Sequence, residues 1–349
     1  MKKLTRSLFL LICTILVINI FISCNKSEGI TLEVFNWGEN IDMDLLKEFK
    51  NKYGIDINYT TYDTNEDMYI AVKSGKSNYD IVVPSDYMLE RMANEDLLLK
   101  LDKSNIPNIN KIDGDFLNRP FDPENQYSVP YMSGTIGILY NKDLVKEPVD
   151  SWNILWDEKY SKQIFILDAQ RDALGMALKK LGYSLNTTDD KELQEAKDEL
   201  IKQKPLVLAY VQDEVKDRMI AGEGALAVIW SGEGLNLQDE YPYLQYVVPK
   251  EGTNFWVDSL AIPKTSKHKK EAELFINFLC EKDPSLRNSK LVGYTTPQME
   301  AKEAQDEHIK NNKNAYLSKD IFKKCENYKD LGENIKKYDY IWTEVKSVQ

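Results

Sequence analysis

Apolar and polar positions follow two different periods in the first part of the chain. A short apolar run over residues 32–35 predicts a strand, residues 45–53 carry apolar side chains at helical spacing, and residues 55–62 predict a second strand. A helix over 66–72 and a buried strand over 79–83 continue the pattern. Such alternation is typical of a largely parallel α/β sheet.

The middle of the chain predicts a crossing into a second unit of the same kind. Residues 127–140 combine strand-like runs with glycines, and beyond them strands over 164–167 and 224–230 flank a helix over 169–181. About 325 mature residues exceed the usual size of one domain. The predicted fold is therefore α/β with two discontinuous lobes. Lobe 1 comprises residues 31–135 and 262–300, and lobe 2 comprises residues 136–261 and 301–349.

The N-terminus has the layout of an export signal. A cationic start precedes an apolar run over residues 8–22, which is shorter than the roughly 20 residues of a spanning helix. Small Ser23 then precedes Cys24, and a polar segment follows. We predict a lipoprotein signal peptide over residues 1–23, lipidation of Cys24 and a tether over residues 24–30. The alternative is an ordinary signal whose cleavage site includes Cys24.

Charge and residue types narrow the classes of function. The chain carries a formal charge of −11, and removal of residues 1–23 takes away three cationic side chains and no acid, which leaves −14. Nucleic acid is thereby disfavoured as a partner, whereas an acidic surface attracts cationic ligands. The two histidines lie in charged stretches, and no nucleophile elbow, phosphate-binding loop or zinc motif is present. Beyond the signal, Cys280 and Cys325 have no metal-ligand spacing, so we predict no metal and no cofactor.

Aromatic residues recur two positions from polar or acidic ones, after apolar runs. Residues at i and i+2 of an extended chain point to the same side, and α/β sheets receive ligands at strand ends. Carboxylates paired with flat aromatic faces suit an alkylammonium ligand. The pairs are Trp37 with Glu39, Ser85 with Tyr87, and Trp256 with Asp258.

Other residues are assigned by their position in the predicted elements. Trp230 ends an apolar strand and is a candidate ligand contact, whereas Trp152, Trp156 and Trp342 are interpreted as packing residues. Asp168 directly precedes the 169–181 helix and is interpreted as its N-cap, with ligand binding as the alternative. Asp172 lies one turn further on, off the apolar stripe, so solvent and ligand are both open as its partner. The glycine pairs at 222/224 and 232/234 are interpreted as turns.

Six motifs, in order along the chain, resemble the spermidine/putrescine-binding proteins of bacterial ABC importers. The resemblance implies the type II periplasmic-binding fold, in which two lobes joined by a hinge close on a ligand in the cleft between them. The motifs are Phe35-Asn-Trp-Gly-Glu39, Val83-Pro-Ser-Asp-Tyr87, Leu178-Lys-Lys-Leu-Gly-Tyr-Ser184 with Asn186-Thr-Thr188, Pro249-Lys-Glu-Gly252, Phe255-Trp-Val-Asp-Ser-Leu-Ala-Ile-Pro263 and Gly293-Tyr-Thr-Thr-Pro297.

The resemblance also implies a set of ligand-binding residues. It adds Tyr294 to the residues found from spacing. The resemblance also implies an acid where this chain has Ala169, and the neighbouring Asp168 is its nearest substitute. Tyr328 falls about where a ligand-binding glutamine is expected. The implied set is Trp37, Glu39, Ser85, Tyr87, Asp168, Asp172, Trp230, Trp256, Asp258 and Tyr294.

The function expected from both approaches is capture without chemistry. The protein is predicted to be a monomeric, non-enzymatic polyamine-binding lipoprotein, periplasmic and membrane-tethered, that delivers spermidine or putrescine to the permease of an ABC transporter. The alternatives are the same fold binding another small cationic or polar solute, a surface adhesin or interaction module, and a glycosidase with paired carboxylates.

Overall fold

The computed structural model describes residues 29–38 and 40–348, and within them the predicted alternation of strands and helices is observed. The strands are β1 (Thr31–Trp37), β2 (Asp56–Tyr62), β3 (Ile81–Val82), β4 (Ser128–Asn141), β5 (Ile164–Leu167), β6 (Val207–Val211), β7 (Leu226–Trp230), β8 (Leu244–Val247) and β9 (Phe255–Ala261). The helices are α1 (Met43–Tyr53), α2 (Asn65–Lys73), α3 (Asp86–Asn94), α4 (Gln170–Leu181), α5 (Asp190–Gln203), α6 (Val215–Ile220), α7 (Ser231–Glu240), α8 (Lys269–Leu279), α9 (Lys282–Val292), α10 (Met299–Glu303), α11 (Glu307–Lys310), α12 (Lys319–Phe322) and α13 (Ile335–Ser347). Short 3₁₀ helices cover Lys103–Asn105, Pro107–Lys111, Trp152–Trp156, Glu158–Tyr160, Lys204–Leu206 and Gly332–Asn334.

Helix α1 shows how local sequence sets these bounds. The Asp42 side chain accepts a hydrogen bond from the backbone N–H of Asp44, which caps the first turn. Leu45 and Phe49 lie on the buried face of the helix. It ends at Gly54, whose φ of 71° is a left-handed conformation that glycine adopts without strain.

Strand β4 joins two halves of the sheet. The order is β2-β1-β3-β9-β4-β7-β5-β6, with β8 also paired to β4. The first half of β4 pairs antiparallel with β9, and its second half pairs antiparallel with β7 and β8. One large apolar cluster surrounds the first half of the sheet, and two others surround the second half. The predicted crossing and the two-lobe α/β fold are therefore confirmed.

The exact lobe boundaries stay a prediction. The contacts of β9 disagree with the predicted boundary between residues 261 and 262. Strand β9 pairs with β3, and its Phe255, Val257 and Leu260 side chains pack in the apolar cluster of lobe 1. We therefore propose that residues 255–261 belong to lobe 1, whereas the sequence pattern assigned them to lobe 2. A run that forms a strand cannot be assigned to one lobe or the other until its partners are known.

The predicted signal peptide, the lipidation site Cys24 and most of the tether lie outside the described residues. Among residues 29–38 and 40–348, no helix combines the length and apolar character needed to cross a membrane.

Candidate functional site

Trp37 is fixed at the carboxyl end of β1. Its indole Nε1 donates a hydrogen bond of 2.9 Å to the carbonyl of Val83, and the Tyr62 hydroxyl donates to the same carbonyl at 2.6 Å. The Trp37 and Tyr62 rings lie 4.7 Å apart. Since β1 runs parallel to β2 and β3, this aromatic pair lies at the sheet edge where ligands are usually bound.

Ser85 and Asp258, which lie 173 residues apart in the chain, are in direct contact. The Ser85 hydroxyl donates a 2.7 Å hydrogen bond to Asp258 Oδ1. Asn65 supports this arrangement: its Nδ2 donates to Ser85 Oγ at 3.1 Å and to the Tyr87 hydroxyl at 3.2 Å. Tyr87 in turn donates to a carboxylate oxygen of Glu66 at 3.0 Å. Three predicted site residues therefore form one connected group, and Asn65, which sequence reasoning missed, joins them.

Asp258 is a buried carboxyl group, and the described residues contribute no cation bonded to it. It is 5% exposed, and burial raises its pKa to about 7, against a smaller opposing effect of the Ser85 hydrogen bond. Asp86 is fully buried nearby, and its charge further raises the pKa of Asp258. Burial likewise raises the pKa of Asp86 to about 7. A buried carboxylate without a counter-ion favours an incoming cation.

An aromatic wall continues from Asp258. Trp256 lies two residues earlier on β9, and its ring meets the Tyr294 ring edge-on at 4.7 Å. The indole Nε1 of Trp256 is buried without a hydrogen-bond partner. Behind the indole, Gly134 of β4 leaves room: a Cβ at that position would lie 2.4 Å from the ring. Trp256 is therefore held in place by close approach of the β4 backbone.

Replacing Gly134 by alanine should push Trp256 out of this position. We expect Gly134→Ala to weaken ligand binding about tenfold or more and to destabilise the fold by about 1–3 kcal/mol, the usual cost of overpacking. Gly114→Ala is the matched control, because a Cβ there meets no atom within 4 Å. Calorimetric titration and thermal unfolding of both variants test this expectation, and equal affinities of the two would contradict it.

Lobe 2 contributes Asp172 and Trp230. The Tyr328 hydroxyl donates a 2.9 Å hydrogen bond to Asp172 Oδ1, and burial raises the pKa of Asp172 to about 6. The Arg171 guanidinium lies 4.2 Å from the centre of the Tyr328 ring. Trp230 ends β7 opposite Ile136 of β4 and packs against an apolar cluster of lobe 2. Trp37, Tyr87 and Trp256 pack instead against the cluster of lobe 1.

Asp168 does not have the role predicted from its position. Helix α4 begins after Ala169 without a side-chain cap, so the interpretation of Asp168 as N-cap is wrong. Its carboxylate instead accepts hydrogen bonds from Trp342 Nε1 at 2.9 Å and Lys346 Nζ at 2.8 Å. Two residues of α13, far along the chain, thus engage this carboxylate. Glu39 lies outside the described residues, so its predicted role stays a prediction.

The second glycine pair was also misassigned. Gly232 and Gly234 lie inside α7 and not in a turn. A Cβ at Gly232 would lie 2.4 Å from the Tyr294 ring, and one at Gly234 would lie 2.4 Å from the Tyr246 ring. Both glycines are explained by rings packed on the helix backbone.

Asn327 connects the two lobes next to the site and carried no sequence signal. Its Nδ2 donates to Asp86 Oδ2 at 3.2 Å, and its Oδ1 accepts from Arg119 Nε at 2.9 Å. Its backbone carbonyl accepts from Asn186 Nδ2 at 2.9 Å. Because Asp86 belongs to lobe 1 and Asn186 follows α4 of lobe 2, Asn327 bonds to both. It precedes Tyr328, the partner of Asp172.

Both lobes thus carry acidic and aromatic side chains, the residue types suited to binding an extended cation. Within the part of the chain that the structure describes, no group of three or more histidine, cysteine or acidic side chains could hold a metal ion.

Comparison with known proteins gives matches along almost the whole chain. A family model described as bacterial extracellular solute-binding protein matches residues 44–316. A spermidine/putrescine-binding periplasmic protein of Salmonella typhimurium is 37% identical over 327 residues, which cover 93% of this chain and 94% of that protein. Among solved structures, the spermidine/putrescine ABC transporter substrate-binding protein of Streptococcus pneumoniae has a TM-score of 0.86 at 41% identity, covering 91% of this chain and 99% of the other. A Treponema pallidum lipoprotein has a TM-score of 0.82 at 28% identity, covering 90% and 99%.

Proposed function

The chain belongs to the bacterial extracellular solute-binding protein family, and we propose that it captures polyamines outside the cytoplasmic membrane. Spermidine and putrescine are the proposed ligands, and the permease of an ABC importer is the proposed recipient. The similarity to spermidine/putrescine-binding proteins of Salmonella typhimurium and Streptococcus pneumoniae, over more than nine-tenths of the chain, supports this assignment.

Asp258 is the observation that carries the proposal. It is buried, its hydrogen-bond donor is the neutral Ser85 hydroxyl, and it lies beside the Trp256 and Tyr294 rings. A polyamine has ammonium groups separated by methylenes. An ammonium would pair with the carboxylate, and the methylenes would lie on the aromatic faces. A neutral sugar would leave the carboxylate unpaired, and an acidic solute would be repelled by it.

Capture in this proposal is a change of conformation without covalent chemistry or cofactor. Asp258, Trp37 and Tyr87 belong to lobe 1, whereas Asp172 and Trp230 belong to lobe 2. A ligand that contacts both groups stabilises the closed arrangement of the lobes, because it binds that arrangement more tightly than the open one. The closed, liganded protein is then the form recognised by the permease.

Cellular uptake tests delivery directly. In a strain that lacks its own copy of the gene, the wild-type protein should restore import of labelled spermidine or putrescine, whereas Asp258→Asn should not. Unchanged import in the strain without any copy would refute the proposed delivery role.

We also propose that the protein is a monomer anchored through lipid on Cys24. The export-signal layout supports the lipid anchor, as does the similarity to a Treponema pallidum protein described as a lipoprotein. Cys24→Ala should remove the acyl chains and give a soluble or unprocessed product, because a lipid thioether needs the thiol. Mass spectrometry and membrane fractionation measure this, with Cys280→Ala as the matched control. Acyl chains that persist on Cys24→Ala would refute the anchor.

A further inference from the structure

Residues 326–328 form a connecting segment between the lobes. Phe322 and Cys325, before the segment, pack against the apolar cluster of lobe 1, whereas Leu331 and Ile335, after it, pack against a cluster of lobe 2. The segment runs beside the start of β9, because Glu326 exchanges backbone hydrogen bonds with residues 253 and 255 at 3.0 and 2.9 Å. The chain therefore changes lobes within these few residues.

The Asn327 side chain is bonded to lobe 1. Its Nδ2 donates to Asp86 Oδ2 at 3.2 Å and to the Phe255 carbonyl, and its Oδ1 accepts from Arg119 Nε at 2.9 Å. Asn327 is 8% exposed, and Asp86 is fully buried. A guanidinium can only donate and an ionised carboxylate can only accept, so an amide is the group that joins the two. An aspartate in this place would face Asp86 with a second carboxylate.

Tyr328, the next residue, is bonded to lobe 2. Its hydroxyl donates to Asp172 Oδ1 at 2.9 Å, and its ring centre lies 4.2 Å from the Arg171 guanidinium. The Asn327 carbonyl accepts from Asn186 Nδ2 at 2.9 Å, which adds a second bond to lobe 2. Two consecutive residues thus fix the segment to both lobes.

We propose that Asn327 is a positioning residue that holds the two lobes in the arrangement in which a polyamine contacts both of them. Its amide fixes the connecting segment to Asp86 and Arg119, and the segment in turn sets where Asp172 lies relative to Asp258. Loss of the amide lowers the fraction of molecules in that arrangement, so the affinity for every ligand falls by the same factor. This assignment depends on the polyamine-binding function proposed above and adds to it a residue that sets the orientation of the lobes.

Calorimetric titration of spermidine and putrescine into the unlipidated protein at pH 8 tests this assignment. Asn327→Asp should weaken both ligands about tenfold and leave the ratio of their affinities unchanged, as for a binding arrangement populated at about one tenth. The double variant Asp86→Asn/Asn327→Asp has one amide and one carboxylate again, with the carboxylate next to Arg119. Its affinities should return to within about threefold of the wild type, as expected for two directly coupled residues. Small-angle X-ray scattering of the free protein should give a larger radius of gyration for Asn327→Asp than for the wild type.

A milder change tests the lobe 2 side of the segment. Asn186→Ala removes the hydrogen bond to the Asn327 carbonyl and should weaken both polyamines equally, by about threefold. Asn314→Ala is the matched control: Asn314 accepts from the Val248 N–H at 3.0 Å and donates to the Tyr246 carbonyl at 2.9 Å, and both partners pack in one apolar cluster of lobe 2. That variant should keep both affinities.

The outcomes separate this assignment from a purely structural hydrogen bond and from direct ligand contact. An Asn327→Asp protein that melts at lower temperature but keeps its affinities and radius of gyration would overturn it, as would the loss of only one ligand or no recovery in the double variant. If Asn327→Asp does not fold, Asn186→Ala decides the question, and affinities equal to those of Asn314→Ala overturn the assignment. A wild-type protein that binds neither polyamine would instead refute the proposed function, and the radius of gyration of the free variants would still test the role of Asn327.

Discussion

Asp258→Asn should cost at least about 2 kcal/mol of polyamine binding, which is about a 30-fold loss of affinity. In the wild type a ligand ammonium meets a carboxylate that is 5% exposed and bonded to a neutral hydroxyl. In the variant it meets a neutral amide of nearly the same size. The Ser85 hydroxyl can still donate to the amide oxygen, so the surrounding structure should be kept.

The same substitution should leave the free protein as stable as the wild type, or more stable. Burial raises the pKa of Asp258 to about 7, so holding it ionised in the empty site at pH 8 is unfavourable. Asp80→Asn is the matched control: Asp80 is also a buried aspartate of lobe 1, but it accepts from the Glu33 N–H at 3.0 Å and the Ser266 hydroxyl at 2.7 Å. That variant should lose stability and keep its affinity. Full affinity in Asp258→Asn would remove Asp258 from the site.

Polyamine affinity should fall about 50-fold when the pH is lowered from 7 to 5, because a carboxyl with a pKa of about 7 is about half ionised at pH 7 and about 1% ionised at pH 5. The pKa of Asp258 is about 7 in the free protein, and a bound ammonium favours the ionised form and so lowers it. Binding below pH 7 therefore requires loss of a proton. The affinity should rise with pH and level off above about pH 7, while the ligand amines stay protonated.

The stability of the free protein, unlike its affinity, should decrease as the pH rises. The pKa values of Asp258 and Asp86, about 7, and of Asp172, about 6, are raised above the ordinary value of 3.8. A group with a raised folded pKa contributes stability that is present at low pH and lost as pH rises through that pKa. Between pH 5 and 8 these three groups should therefore make the free protein melt higher at pH 5.

Thermal unfolding with and without spermidine across this range measures both effects. The increase in Tm on adding spermidine should be large at pH 8 and small at pH 5. In Asp258→Asn the pH dependence of affinity should be flatter, because its main titrating group is gone. A wild-type affinity that is constant from pH 5 to 8 would contradict the assignment of a protonated Asp258 in the empty site.

Patterns confined to one segment predicted much of the fold and part of the site. The crossing between the lobes along β4 could be predicted because residues 127–140 combine strand-like runs with glycines. Ser85, Tyr87 and Asp258 were marked as site candidates by their placement after apolar runs. The expectation that residues two apart face the same way does not hold for Ser85 and Tyr87, because Ser85 is the N-cap of α3 and Tyr87 lies in its first turn; Asn65 joins them instead. The resemblance to polyamine-binding proteins, based on six motifs, is confirmed by the matches along the chain.

Contacts between distant segments were not predictable in the same way. Asn327 meets Asp86 across 241 residues, and no local pattern marks either residue as a partner of the other. Asp168 was misassigned because capping is judged from the adjacent helix, whereas Trp342 and Lys346 approach from the end of the chain. Asp86 was missed because pairing Ser85 with Tyr87, two positions apart, leaves out the residue between them.

Calorimetric titration of the unlipidated protein at pH 8 with putrescine, spermidine and 1,4-butanediol measures whether the site binds a polyamine through its ammonium groups. Butanediol has the length of putrescine with hydroxyls in place of ammonium groups, so it isolates the contribution of charge. We predict saturable one-to-one binding of at least one polyamine and no measurable binding of the diol. Absence of binding by both polyamines, or equal binding of putrescine and the diol, would show that the protein is not a charge-selective polyamine binder.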